Sequence, residues 1–195
     1  TRGVFGGGYD KSNVISYITI ATTGDSTNFG QLTQGREYLA GCSSSTRGIF
    51  GGGSVAAPVY VTNTIDYVTI ATTGNATDFG DLSAARGNLA ACSSSTRGLF
   101  AGGQNGNIID YITIATTGNA TDFGDMIVPV GEVAACSSST LGVWSGGFGS
   151  ASLSPRLTNT IQYLTIASTG NTVDWGDLVA AKSGVSACSS VHGGL

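Results

Sequence analysis

Hydrophobic and polar positions alternate with a period of two along residues 63–73, where Ile65, Tyr67 and Thr69 share one face, and the same alternation runs through 13–23, 107–117 and 159–169. β-Branched and aromatic residues dominate these segments, so each predicts a strand. A turn follows at Gly24-Asp25, Gly74-Asn75, Gly118-Asn119 and Gly170-Asn171, because Gly and Asn tolerate positive φ. In the second copy a short strand is expected around Phe79–Leu82. A connection through Ala85-Arg86-Gly87 leads to a strand at Leu89–Ser93, a Ser/Thr turn and a strand at Gly98–Gly102. The pattern gives four short antiparallel strands per unit and no helix of useful length.

The unit is repeated. Thr-Arg-Gly-Val-Phe-Gly-Gly-Gly at 1–8 recurs from Thr46, Thr96 and Thr140, with Trp144 in the aromatic place of the last copy. Asn13, Asn63, Asn107 and Asn159 each precede a cysteine by 29 residues, giving Cys42, Cys92, Cys136 and Cys188. All variation in length falls between the glycine cluster and the Asn. A start at Thr1 and a ragged copy at His192 point to a processed protein or the ordered part of a longer one.

Repeats of 40–50 residues with four strands each read as propeller blades, since a lone four-stranded sheet cannot bury both faces and stacked sheets can. The expectation is an all-β fold, one domain over 1–195. It is a four-bladed β-propeller of four-stranded antiparallel blades, in which the strand at 184–189 joins the first blade and closes the ring. The inner strands, built of Leu or Val followed by Ala, Gly, Cys and Ser, suit a narrow axis. Four blades of a larger ring is the alternative.

The order Gly-Gly, variable loop, Asn-x-Ile-x-Tyr, a later aromatic, then Leu and a basic residue resembles the kelch repeat. Tyr17/Phe29, Tyr67/Phe79, Tyr111/Phe123 and Tyr163/Trp175 fall on its Tyr and Trp positions, and Leu32-Arg36, Leu82-Arg86 and Leu178-Lys182 on its Leu and Arg. The third copy departs, with Met126 and Val130. A fainter likeness, around Trp175–Leu178, is to the repeat of the chromatin-condensation regulator type. The phrase from Ile65 to Leu82 also resembles repeats in structural and tail-fibre proteins of marine tailed bacteriophages. That resemblance implies a virion or extracellular setting and a structural or host-attachment role. The kelch resemblance implies a ring fold, and an adaptor or protein-interaction scaffold as one alternative role.

Composition narrows the partners. Charged residues are 10% of the chain and the net charge is −4, so neither nucleic acid nor an anionic membrane is favoured electrostatically. No stretch approaches the roughly 18 apolar residues a spanning helix needs, so membrane insertion is not expected. His192 is the sole histidine and the carboxylates repeat with the units, which leaves no residue set broken out of the repeat for catalysis, and no cofactor is expected. The cysteines read as small buried hydrophobes, with a disulfide or thiolate–zinc ring as alternatives. Asp78, Asp81, Asp122, Asp125, Asp174 and Asp177 are weak calcium candidates, for which Asx turns are the competing account. Arg2, Arg47 and Arg97 form a candidate basic turn cluster, for an ion-pair network or an acidic sugar.

The strongest pointer is unequal loop length. The loops at 54–62 and 148–158 are long in the second and fourth units, against 9–12 and 104–106 in the others. Val59, Tyr60, Val61, Phe148, Leu153, Arg156 and Leu157 are therefore the candidate binding residues on one face. The expected partner is another structural protein or a sister subunit, or else a cell-surface glycan or receptor. The alternative is that these residues fold back over the sheet edge. A lectin-like carbohydrate-binding propeller is the competing function, against which Trp144 and Trp175 are expected in the core.

Overall fold

A computed structural model describes residues 1–58, 60–104, 106–149 and 156–189. Its strands assemble into four sheets that follow one another along the chain. Sheet I holds β1 (Arg2–Gly6), β2 (Val14–Thr19) and β3 (Thr27–Gln31), with a single 3-10 turn at Tyr9–Lys11. Sheet II holds β4 (Ala40–Ser43), β5 (Arg47–Gly51), β6 (Thr64–Thr69) and β7 (Thr77–Asp81). Sheet III holds β8 (Ala90–Ser93), β9 (Arg97–Ala101), β10 (Ile108–Thr113) and β11 (Thr121–Asp125). Next along the chain come β12 (Val130–Gly131), β13 (Ala134–Ser137), β14 (Leu141–Ser145), β15 (Phe148–Gly149), β16 (Thr160–Thr165) and β17 (Val173–Asp177). Sheet IV is β13-β14-β16-β17, while β12 and β15 make a separate two-stranded ribbon.

Every pairing is antiparallel, as the period of two requires, and each unit repeats the same register. A bulge recurs where the third strand meets the edge strand, between Ile15/Ser16, Ile65/Asp66, Ile109/Asp110 and Ile161/Gln162. Opposite it sits a glycine with positive φ, and the reason is spatial. A Cβ on Gly30 would lie 2.2 Å from the Gly74 carbonyl oxygen of the next sheet, and one on Gly80 would lie 2.4 Å from that of Gly118.

The hydrophobic core lies between the sheets. One cluster joins Ile15, Phe29 and Leu32 of the first unit to Phe50 and Val68 of sheet II. A second joins Ile49, Ile65, Phe79 and Leu82 to Phe100, Ile112 and Ile114, and a third joins Leu99, Ile109, Phe123 and Met126 to Trp144, Leu164 and Ile166. Sheets II and III thus have two apolar faces, one for each neighbour. Edge-to-face Tyr–Phe pairs, 5.8–5.9 Å between centroids, sit on one face of each of the first three sheets.

The stack does not close, which overturns the four-bladed propeller. Among the described residues there are five separate antiparallel sheets, the four of the stack and the two-stranded ribbon, none closed on itself. Among the described residues sheet I has three strands, β1 pairs only with β2, and residues 183–189 form no strand. Phe5 and Ile20, at one end of the stack, are 58% and 61% exposed, and Trp175 at the other end is 56% exposed. The kelch resemblance and the ring it implied are therefore overturned, and this fold lends no support to the tail-fibre and virion roles. The physical reason is local. The inner strands are made of Ala, Gly, Cys and Ser, weak strand formers, and β4, β8 and β13 are each held by the strand that follows them in the chain. After the segment at 184–189 no further strand follows among the described residues.

An open stack makes equivalent residues unequal in energy. Phe100→Ala should cost about 3–5 kcal/mol, because Phe100 is fully buried between sheets II and III. Phe5→Ala, at the same repeat position, should cost less than about 1 kcal/mol. Urea unfolding of the two variants at low protein concentration checks this, and equal losses would mean that Phe5 is buried too.

Candidate functional site

The long loops are built on the same base as the short ones. Ser12 N–H donates to Gly8 O, Thr62 N–H to Gly53 O and Thr158 N–H to Gly147 O, so one closing bond serves connections of different length. Above that base the loop of the second unit folds onto the linker before it. Ser54 bridges Glu37 on one side and Val61 on the other, and Val55 is buried. Tyr60 has φ 65° and stands out, 67% exposed. In the fourth unit Phe148 lies in β15, paired with β12, and bridges Leu157, while the Arg156 guanidinium sits 4.9 Å over the Phe148 ring. Leu157 is exposed and Phe148 half-buried. Val59 and Leu153 lie outside the described residues. The expected surface is thus partly a set of folded-back anchors, with Tyr60 and Leu157 projecting. The two loops belong to sheets II and IV, with sheet III between them.

The three turn arginines serve a different purpose from a basic cluster. Arg2, Arg47 and Arg97 each lie over a tyrosine of their own sheet, at 4.5, 4.5 and 4.7 Å from the ring centres of Tyr17, Tyr67 and Tyr111. Each then donates to a carbonyl of the next sheet, those of Ile70, Ile114 and Ile166 at 2.9–3.0 Å. They are clamps between sheets.

The candidate calcium aspartates lie in the edge strands β7, β11 and β17 rather than in turns, and most are similarly occupied. Asp78, Asp122 and Asp174 accept from the N–H of Gly80, Gly124 and Gly176, two residues on, in Asx turns. Asp81 and Asp125 donate their N–H to Asn119 and Asn171 of the following sheet, and Asp177 ends the edge strand β17. Among the described residues no group of three His, Cys, Asp or Glu side chains is placed to hold a metal ion.

The cysteines meet at a cleft of about 700 Å³, lined by Cys42, Cys92, Cys136 and Cys188 with Ser43, Ser93, Ser137 and Ser189. Serine hydroxyls link the inner strands, Ser93 to Ser43 O, Ser137 to Ser93 O and Ser189 to Ser137 O, at 2.7–2.9 Å. The cysteines are free thiols. A Cβ on Gly98 would lie 2.7 Å from the Cys42 sulfur and one on Gly142 2.9 Å from that of Cys92, so each thiol fills the space a glycine leaves. Burial pushes Cys42 up to about 12. Burial, then the neighbouring Cys42 and Cys136, pushes Cys92 well above the thiol range, and burial raises Cys136. Protonated thiols are poor nucleophiles and poor metal ligands.

Sequence reasoning passed over the charged centre of the first two junctions. Arg36, in the linker between sheets I and II, donates to the carbonyls of Gly52 and Thr64 and pairs with Asp66 at 2.6 Å, with both side chains fully buried. Burial lowers the Arg36 pKa and Asp66 opposes that shift. Arg86 repeats this with Asp110 at 2.8 Å, donating also to Gly102 and Phe100 carbonyls. At the third junction Val130 stands in the arginine place and Gln162 in the aspartate place, and Gln162 Oε1 accepts from Ile127 N–H and the Thr172 hydroxyl. The matched loss of both charges was the signal available in the sequence. Trp175, expected in the core like the fully buried Trp144, lies half-exposed on the end sheet, 4.9 Å from Tyr163.

No family model matches the chain, and no curated protein matches it.

Removing one member of a buried pair should cost more than replacing both. Asp66→Ala should destabilise by roughly 3–5 kcal/mol. The triple change Arg36→Val, Asp66→Gln, Ala76→Thr, which installs the third junction's residues, should recover most of that loss in chemical denaturation. The raised thiols give a pH dependence as well. With the native Cys42 pKa near 12 against an ordinary 9.0, its contribution is intact below pH 9 and lost as pH rises towards 12, since only the unfolded thiol ionises there. Cys42→Ala should flatten that alkaline fall in stability.

Proposed function

We propose that this chain is a non-enzymatic structural or attachment module, whose interlocked sheets hold the two long loops as contact elements for another protein. The observation that carries this is the build of those loops. Their bases are bridged at Ser54–Val61 and Phe148–Leu157, while Tyr60, next to the first bridge, and Leu157, within the second, keep exposed side chains. A loop ordered before binding loses less entropy on contact, and aromatic or aliphatic tips are effective anchors. The repeated charged side chains support the same reading, because Arg36, Arg86, Asp66 and Asp110 are engaged between sheets.

The test shortens both loops to the length found in the first unit. Replacing residues 54–61 and 148–157 each by Tyr-Asp-Lys keeps the closing bond at the base. The melting temperature should stay within about 5 °C, and attachment to the assembly that contains the protein should fall at least about tenfold, equivalent to about 1.4 kcal/mol. Unchanged attachment by a folded variant would remove the loops as the contact surface.

A further inference from the structure

The two ends of the stack are unmated halves of a junction that the molecule makes three times inside itself. Within each junction an aromatic side chain of the later sheet inserts into the earlier one, with Phe50, Phe100 and Trp144 all buried there. The edge strand of the earlier sheet also bonds to the Gly-Asn turn of the later sheet. Gly74 N–H donates to Phe29 O, Ala76 N–H to Gln31 O, and Gln31 N–H to Asn75 Oδ1, at 2.8–3.1 Å. Gly118 and Gly170 repeat the first of these bonds, to Phe79 O and Phe123 O.

At the sheet I end, Phe5 occupies the inserting position and is exposed, as are Ile20 and residues 24–26 of the same sheet's β2–β3 connection. At the sheet IV end, Trp175 and Val173 are exposed on the edge strand β17, which pairs only with β16 among the described strands. One end is the inserting half, the other the receiving half. We propose that these faces mate, so that sheet I of a second copy of this chain docks head to tail on sheet IV of the first. Phe5 then enters the receiving face beside Trp175. Gly24 and Ser26 N–H meet the carbonyls of Trp175 and Asp177, and Asp25 takes the acceptor place of Asn75.

This contact is weaker than an internal junction, because Leu141 replaces the clamping arginine on sheet IV and Ser16 and Lys182 stand in the buried aspartate and arginine places. Association is therefore concentration-dependent, roughly micromolar. The contact is heterologous, so it propagates or closes into a ring according to the angle between copies. It uses surfaces distinct from the long loops, and it stands or falls separately from the proposed contact role.

Sedimentation of the full chain over roughly 1–300 μM tests it. Assembly should grow with concentration, and Phe5→Ser and Trp175→Ser should each leave a monomer, with folding checked by circular dichroism. The decisive mixture combines the two variants, because the first retains a receiving face and the second an inserting face. It should give a capped heterodimer that goes no further. The loop-shortened chain should assemble as the parent does. A parent chain that stays monomeric leaves these faces to a different partner and overturns the proposal. Assembly that survives both substitutions overturns it too, as does a mixture that stays monomeric.

Discussion

The insertion of one aromatic ring into the preceding sheet is the constraint from which the rest of the architecture follows. A Cβ on Gly6 would meet the Phe50 ring at 3.1 Å, and one on Gly51 would meet the Phe100 ring at 2.6 Å. The glycine of one strand is thus the seat of the next sheet's aromatic, and the two cannot be changed independently. Close seating brings the edge strand within hydrogen-bonding reach of the next Gly-Asn turn, which in turn requires glycine opposite the bulge. The same approach sets the cysteine sulfurs over Gly98 and Gly142, where burial keeps the thiols protonated and quiet. High glycine content is the consequence of packing sheet on sheet at this separation.

Charge follows the same nearest-neighbour logic. A buried arginine inside such a junction needs several acceptors at once, and Arg36 finds two carbonyls and a carboxylate. A buried carboxylate left alone would be costly by several kcal/mol, so the pair is present or absent as a unit. The third junction shows the neutral solution, in which Gln162 keeps the acceptor that Ile127 N–H requires and Thr172 supplies a donor. The energetics are those of a linear array, where each sheet depends on its two neighbours.

This locality decides what could be read from the chain alone. The strands were legible: β2, β6, β10 and β16 fall inside the stretches with a period of two, whereas the turn after each comes earlier than the expected Gly-Asn or Gly-Asp pair, closed by Thr22 N–H on Thr19 O in the first unit and Thr72 N–H on Thr69 O in the second. Tyr67 and Phe79 were recognisable as a recurring spacing, and the fold turns that spacing into an edge-to-face contact. The Arg36–Asp66 pair was hidden because its members lie in successive units, so comparing units position by position separates them. Trp175 was misplaced for a related reason. Its position in the unit is equivalent to that of buried Phe29, Phe79 and Phe123, but burial there is conferred by the sheet that follows. The long loops were legible as unequal lengths and folding back was an open alternative, but the sequence did not single out Val61 and Phe148 as the residues that bridge.

Closure is a property of another order. A repeated sequence specifies the sheet and the contact between neighbours, whereas a ring also requires the angle between neighbours to divide the circle. That angle depends on side-chain volumes within the junction, and the third junction, with Trp144 over Ala101, differs from the first two, with Phe50 over Gly6 and Phe100 over Gly51. A strand could still seal a ring if it paired strongly, but residues 184–189 have the small side chains of an inner strand and form none. Their serine, Ser189, instead reaches the Ser137 carbonyl and continues the inner line beyond β13. The chain extends its stack by the same contacts with which it builds it. The exposed Phe5 and Trp175 are the direct result: a structure stabilised only by nearest neighbours leaves its end faces in the form its interior faces would have if pulled apart.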